Sequence, residues 1–175
     1  MKRKRVFIAL GVIVAVVMIS GVLVVRMLQR WNEMFEAITD RNASKLLSNA
    51  ELMDYLNSWN KDVVNNTLTV IEFKGDPFAV DKAKALLKSK DDYIWLGAAS
   101  YLGACNERES VPYLIKALRH TAWRGDQRRA NYLHAMTDQD FGTNFTEWKL
   151  WWEQSSHKTN FDWESSLGPK PRLHN

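Results

Sequence analysis

One part of this chain matches another when the sequence is shifted by 31 residues. Six positions carry the same apolar or aromatic residue in both copies: Val80 and Val111, Leu87 and Leu118, Ala99 and Ala130, Tyr101 and Tyr132, Leu102 and Leu133, and Ala104 and Ala135. They recur at the spacing of helices that bury one face. Helical hairpins bury such faces by stacking on one another. The sequence therefore predicts an all-α fold that contains a helical-hairpin repeat.

The repeat predicts two helices in each copy. The first copy gives DPFAVDKAKALLKSK and then the nearly all-apolar YIWLGAASYLGAC, which Asp91 or Asp92 is expected to cap. The second copy gives SVPYLIKALRH, with Ser110 as the predicted cap and Pro112 in the first turn. Its second helix is predicted from about Asp126 to Met136.

A run of 20 residues without a charged side chain, 6–25, lies near the start of the chain. A helix of this length is about 30 Å long, which is the thickness of a bilayer core. A cleaved secretory signal has a shorter apolar region and ends at a small-x-small site, which VLVVRMLQRW lacks. Residues 1–26 are therefore predicted to be a basic cytoplasmic stub followed by a retained transmembrane anchor.

Basic residues flank this anchor unequally. Four stand before it, at positions 2–5, whereas Arg26 and Arg30 stand just after it. The positive-inside rule then places the N-terminus in the cytoplasm and the C-terminal domain on the extracytoplasmic side. In a bacterium that side is the periplasm or the cell exterior. The bilayer is thus the first expected partner.

The basic stub accounts for the whole net charge. The chain has 24 Lys and Arg against 20 Asp and Glu, and removing the four basic residues at 2–5 leaves 20 against 20. Because a neutral domain lacks the positive field that nucleic acids require, no nucleic-acid partner is expected. The single cysteine, Cys105, excludes an intramolecular disulfide and is interpreted as a small core residue.

Residues 27–76 are predicted to form juxtamembrane helices and a linker. One amphipathic helix continues from the anchor to about Ile38, and a second runs from about Ser48 to Trp59. The β-branched residues within 60–76 suit a strand, but tertiary packing also permits a helix, and both interpretations stay open. The same offset of 31 puts apolar residues at repeat positions here, which permits a degenerate third unit at about 48–73: Leu56, Leu68, Val70 and Ile71.

Two stretches resemble a known group of repeats. LLKSKDDYIWLGAASYLGAC resembles a HEAT repeat of the short bacterial type through Leu87, Ala98 and Leu102. The second copy keeps Leu118 and Leu133, but Arg129 stands where the pattern has a small residue.

MTDQDFGTNFTEWKLWWEQ closely resembles the closing segment of many bacterial HEAT-repeat proteins, with Asp138 in place of a common glycine. The resemblance covers about 77–154. It implies a small HEAT-like solenoid domain with a capping helix. It implies a fold shared by scaffolds and binding modules, and no particular activity.

Three tryptophans lie within five residues of the last predicted helix. Trp148, Trp151 and Trp152 are related as i, i+3 and i+4, which places them on one face. We interpret them as a structural cap that seals the end of the helical stack. The alternative is an aromatic platform for a ligand such as a cell-wall glycan. Asn144 or Thr143 is the predicted N-cap of this helix.

A cluster of basic residues surrounds the turn and second helix of the second copy. It forms a possible binding patch for an acidic protein partner: Arg119, His120, Arg124, Arg128 and Arg129. The alternative is a solvated face with local ion pairs to Asp126 or to glutamates.

No motif predicts catalysis, a cofactor or a metal site. The four histidines lack HExxH spacing, and Asp138 and Asp140 lack the ladder of a calcium loop. We interpret these aspartates as partners of nearby backbone amides in a turn at Gly142, which Phe141 anchors.

The expected function is therefore that of a membrane-anchored, extracytoplasmic adaptor or scaffold without catalytic activity. Two alternatives stay open: an accessory factor of an enzymatic pathway, similar to HEAT-like lyases, and a glycan-binding module. The tail 155–175 is expected to be disordered, with Phe161 and Trp163 as a short docking segment.

Overall fold

The computed structural model divides the chain into two units, Met1–Leu46 and Leu47–Asn175. In the first unit the structure describes Gly21, Val24, Val25, Asn32 and Glu36, all of them helical. In the second it describes 47–119, 126–155 and 160–163. Within these described ranges, no helix is both long enough and apolar enough to cross a membrane. Most of the predicted anchor 6–25 lies outside them.

The second unit is all-α, as predicted, and its described part contains no strand. Its helices are α1 Asn49–Leu56, α2 Lys61–Lys74, α3 Val80–Leu86, α4 Asp92–Ala104, α5 Val111–Ala117, α6 Asp126–Thr137 and α7 Phe145–Gln154. Short 3₁₀ turns, Pro77–Ala79 and Arg108–Ser110, lead into α3 and α5.

Residues 60–76, for which the sequence permitted either a strand or a helix, contain a helix, α2. Its buried residues recur at helical spacing: Val63, Val64, Thr67, Leu68 and Ile71. Asn60 caps its start by accepting a hydrogen bond from the Asp62 amide at 2.7 Å. Gly75, with φ of 64°, ends it in the left-handed conformation that glycine adopts most easily. Burial of this stripe outweighs the β-propensity of the individual residues.

Two local predictions at helix ends are confirmed. The Asp91 carboxylate accepts from the Tyr93 amide at 3.1 Å and caps α4. Pro112 lies in the first turn of α5. Ser110 occupies the predicted N-cap position of α5, but its side chain makes no capping hydrogen bond, because its hydroxyl donates to the Glu107 carbonyl at 2.7 Å instead.

The helix predicted from Ser48 to Trp59 is shorter than expected. A capping box between Ser48 and Glu51 starts α1, which ends at Leu56. Leu52 and Leu56 are buried, whereas Trp59 lies beyond the helix and is 74% exposed. Trp59 therefore does not belong to the buried face of α1.

Helix α4 lies at the centre of the unit and packs against α2, α3, α5 and α6. Small residues allow this close approach. A Cβ added at Gly97 would lie 3.0 Å from the Cβ of Leu68 on α2. A Cβ added at Gly103 would lie 2.9 Å from Cδ2 of Tyr132 on α6. Helices α1 and α2 pack together, as do α5 and α6, and α7 packs on α5.

The matched tyrosines of the two copies are both tied to preceding elements. The Tyr101 hydroxyl donates to the Asp76 carbonyl at 2.7 Å and accepts from the Ala79 amide at 3.0 Å. The Tyr132 hydroxyl donates to Glu72 Oε1 at 3.2 Å. Tyr101 therefore ties α4 to the segment that leads into α3, and Tyr132 ties α6 to α2.

Candidate functional site

The tryptophan face of α7 is largely buried. Trp148 is fully buried and Trp152 is 7% exposed, whereas Leu150 on the opposite side is 50% exposed. Trp151 is half-buried and packs edge-on against Trp148, with ring centroids 5.8 Å apart. Asn144 is the N-cap and accepts from the amides of residues 146 and 147 at 3.1 and 3.3 Å. Trp148 is therefore inaccessible to a ligand, and Trp152 exposes only a small part of its surface.

The loop before α7 is organised around Trp148. Its indole Nε1 donates to the Gly142 carbonyl at 2.8 Å, and Phe141 packs edge-on against its ring at 4.9 Å. Asp140 accepts from the Gly142 amide at 3.0 Å, and Asp138 has φ of 58°. Across the described ranges, no group of three or more histidine, cysteine or acidic side chains is placed to hold a metal.

A cleft of about 580 Å³ lies beside this face, and we call it the end cleft. Helix α5 and the turn before it, the end of α6, α7 and residues 160–161 form its walls. Its apolar lining consists of Val111, Pro112, Tyr113, Met136, Trp151, Trp152 and Phe161, and its polar lining of Arg108, Glu109, Thr137 and Asn160. Such a mixture of aromatic walls and a few polar groups is typical of binding sites.

Residues 160–163 fold back onto α5, unlike the disordered tail expected from Ser155 onwards. Trp163 is 8% exposed, and Phe161 packs edge-on against Tyr113 with centroids 4.8 Å apart. The carbonyls of Asp162 and Trp163 accept hydrogen bonds from Lys116 and Arg119 at 3.1 and 3.0 Å. The surface of Tyr113, Lys116, Arg119 and Phe145 on which this segment lies is called the α5 groove.

Lys116 is a buried cation at the floor of this groove. Only 7% of the residue is exposed. Its Nζ lies 5.7 Å from the ring centroid of Trp95 and 5.8 Å from that of Phe161. Aromatic faces and the Asp162 carbonyl together compensate for the lost hydration of the ammonium. Lys116 therefore ties α5 to the docked segment through one carbonyl and one aromatic ring.

The five basic residues of the predicted patch do not share one set of partners. His120 and Arg124 lie outside the described residues, and Arg119 lies on the α5 groove. Arg128 pairs with Glu72 at 3.1 Å and stacks on the Phe73 ring at 4.7 Å. Arg129 is 6% exposed. Of the described members, only Arg119 and Arg128 reach the surface.

Arg129 belongs to a buried polar network. It donates to Ser100 Oγ at 3.2 Å and to Asp126 Oδ1 at 3.1 Å. Burial raises the pKa of Glu72, which Arg128 and Tyr132 partly oppose, and burial lowers the pKa of Arg129. Burial likewise raises the pKa of Tyr132 to about 12. These groups join α2, α4 and α6 across the centre of the unit.

Cys105 is half-buried, and burial raises the pKa of its thiol. Because the thiolate is the nucleophilic form, this environment lowers the reactivity of the side chain. The placement agrees with its interpretation as a small core residue.

Sequence reasoning missed most of the end cleft. Arg108, Glu109, Pro112 and Tyr113 carry no motif, and only folding brings them beside α7. The pair Phe161 and Trp163 was the one available signal, since two aromatic residues stand in an otherwise polar tail. The indole Nε1 of Trp152 is buried and has no acceptor within the part of the chain that the structure describes.

We compared the chain with models of protein families, with curated proteins and with solved structures, and none of these comparisons found a match.

Proposed function

We propose that this protein is a membrane-anchored, non-catalytic adaptor that holds a segment of a partner protein in the end cleft. Residues 6–25 anchor it in the bilayer with the N-terminus in the cytoplasm. The second unit is a small HEAT-like solenoid on the extracytoplasmic side. It acts as a scaffold in a membrane complex.

The packing of the helices supports the solenoid part of this proposal. Pairs α1–α2, α3–α4 and α5–α6 are each in contact, and the second helices of successive pairs pack on each other, α2 on α4 and α4 on α6. The pair α1–α2 occupies the position of the degenerate third unit. A solenoid is defined by repeat units that mainly contact their neighbours in the sequence. Helix α7 packs on α5 and closes one end.

The observation that carries the adaptor function is the end cleft. It presents Tyr113 and Trp151 beside Arg108 and Glu109. Aromatic residues in a concave site with a polar rim commonly dominate the binding energy of protein partners. The volume of about 580 Å³ accommodates several side chains.

The sequence supports the anchor. The uncharged run 6–25 has the length of a bilayer span, and its flanking charges are asymmetric. We expect the full chain to stay with the membrane pellet after extraction at alkaline pH. Release into the supernatant would contradict the anchor but would not test the proposal for the end cleft.

Affinity purification of the full chain from detergent-solubilised membranes tests the adaptor function. The variant Thr137→Arg places a long charged side chain in the end cleft, because Thr137 forms part of its lining. The matched control Asp81→Arg changes an exposed residue of α3 that lies outside the cleft. We expect wild type and control to retain the same partner protein and Thr137→Arg to lose it.

Equal recovery of every co-purifying protein from all three chains would contradict the proposal. Thermal unfolding of each chain confirms that the variants are folded. A loss of partner from both Asp81→Arg and Thr137→Arg would also count against the end cleft as the binding site.

A further inference from the structure

Residues 160–163 contact the unit in the way that a bound peptide contacts its receptor, through main-chain hydrogen bonds and side-chain packing. Two consecutive main-chain carbonyls, those of Asp162 and Trp163, accept hydrogen bonds from side chains of the α5 groove. Alternate side chains, Phe161 and Trp163, pack on aromatic residues of the unit. Main-chain hydrogen bonds combined with pockets for alternate side chains are a recurring mode of peptide recognition.

The aromatic contacts are specific in geometry. The rings of Phe161 and Tyr113 lie edge-on at 4.8 Å, and those of Trp163 and Phe145 lie edge-on at 6.2 Å. The rings of Phe161 and Trp163 also contact each other at 4.8 Å. Two aromatic residues separated by one residue therefore fit the groove as a pair.

We propose that the α5 groove is a peptide-binding groove that residues 160–163 occupy in cis, and that the partner protein presents an extended segment with two aromatic residues separated by one residue. This inference rests on the adaptor function proposed above and specifies the chemistry of the partner. The chain's own segment is then a built-in competitor.

A partner must overcome a high local concentration of this competitor. A segment tethered by a short linker reaches an effective concentration of about a millimolar. The end cleft supplies the additional contacts, because it begins where the docked segment begins, at Asn160 and Phe161. In this chain Asn160 is exposed and polar. A partner with an apolar residue directly before its aromatic pair would bury that residue against Pro112 or Trp151.

Fluorescence anisotropy with the full chain in detergent tests this groove. The probe is a labelled peptide of residues 158–166, KTNFDWESS. In the released variant, Phe161→Ala with Trp163→Ala, the segment of the chain itself no longer competes. We expect this variant to bind the probe saturably and the wild type to bind it at least tenfold more weakly.

Two further peptides test the recognition chemistry. A peptide with Asn160→Leu should bind the released variant at least threefold more tightly than the probe, because its leucine enters the end cleft. A peptide with Phe161→Ala and Trp163→Ala should not bind. Equal binding of the probe and the alanine peptide, or equal probe binding by wild type and released variant, would overturn the proposal.

A cut in the folded wild-type chain provides the second measurement if the released variant does not fold. A protease site inserted between Ser155 and Asn160 allows cleavage after folding. We expect the cut segment to exchange for the labelled probe while the helical circular dichroism is retained. Failure of a folded, cut protein to take up the probe, or its unfolding when the segment leaves, would overturn the proposal.

The outcomes for the groove and for the adaptor function are separate. The peptide titration uses purified protein without the native partner, whereas the affinity purification depends on the end cleft in solubilised membranes. If the titration fails while Thr137→Arg still loses the partner, the groove assignment falls and the adaptor function remains.

Discussion

Trp148 is the most deeply buried residue of α7. It is fully buried, donates to the Gly142 carbonyl and contacts Phe141. Truncation leaves a large cavity, so Trp148→Ala should lower the free energy of unfolding by about 3–5 kcal/mol. Trp151→Ala should cost less, because Trp151 is only half-buried. Urea denaturation measures both variants.

Leu150→Ala is the matched control on the same helix, since Leu150 is 50% exposed. A surface change of this kind should alter stability by less than about 0.5 kcal/mol. Comparable losses for Trp148→Ala and Leu150→Ala would show that α7 does not seal the core.

Asp138 adopts a backbone conformation that glycine favours. Its φ is 58°, in the left-handed region where a Cβ is strained. Asp138→Gly should therefore raise the thermal midpoint slightly, and Asp138→Ala should lower it, so that stability decreases in the order Gly, Asp, Ala. Differential scanning calorimetry gives this order. An alanine variant more stable than the glycine variant would contradict the assigned conformation.

At the residue scale, the sequence predicted which residues stand at helix ends and turns better than it predicted their backbone conformation and hydrogen bonds. The resemblance already marked Asp138 as standing at a glycine position, and the positive φ supplies the physical reason. Ser110 has the right chemistry for a cap, yet the 3₁₀ turn directs its hydroxyl to Glu107. Trp59 is apolar, but α1 ends before it and leaves it in solvent. Such outcomes depend on local backbone geometry at the ends of helices, which sequence patterns locate least reliably.

Helix α4 relies on glycine to let α6 approach. A Cβ at position 103 would lie 2.9 Å from Tyr132 and 3.0 Å from Leu114. Helix propensity alone would make Gly103→Ala stabilising by about 1 kcal/mol. We expect the opposite sign, a loss of about 1–3 kcal/mol, because the added methyl group overpacks the contact. Chemical denaturation measures the sign.

A double-mutant cycle with Tyr132→Ala isolates the cause. Removal of the Tyr132 ring should make the additional change Gly103→Ala much less costly, with a coupling above about 0.5 kcal/mol. If the effects of the two substitutions are additive, the destabilisation does not come from contact between the added methyl group and the Tyr132 ring.

The buried network between α2 and α6 makes stability depend on pH. Burial raises the pKa of Glu72 above its usual 4.5, so the folded state holds this proton more tightly than the unfolded state does. The contribution of Glu72 to stability is therefore full below pH 4.5 and decreases as pH rises through the folded pKa.

Glu72→Gln removes this titration and keeps a side chain of similar shape. The variant should gain stability relative to wild type as the pH rises from 4 to 7. Urea denaturation at several pH values gives the difference curve. A flat curve, or one that falls with pH, would contradict the assigned shift.

At the element scale, the 31-residue repeat predicted α3 to α6, and the spacing of apolar residues predicted α1 and α7. Helix α2 was the exception, because its β-branched residues gave two readings. Its buried stripe, from Val63 to Ile71, forms only against α1 and α4. Propensity is a local quantity, whereas this burial depends on neighbours distant in sequence.

At the scale of the whole molecule, the sequence predicted an array of hairpins closed by α7 but no cavity. The end cleft depends on residues from α5, α6, α7 and the tail, whose separation along the chain leaves no motif. The basic patch looked continuous in sequence, yet folding buries Arg129 and directs Arg119 and Arg128 to different partners. Tertiary packing determines which residues remain accessible.

The central claim is that the end cleft holds a partner protein, and site-specific photo-crosslinking in native membranes tests it most directly. The photoreactive residue replaces Arg108 or Glu109 in the cleft, and Asp81 or Gln127 outside it, all four of them exposed. The account predicts an adduct with the same protein from both cleft positions and none from the other two. Adducts of equal yield at all four positions, or none at either cleft position, would contradict it.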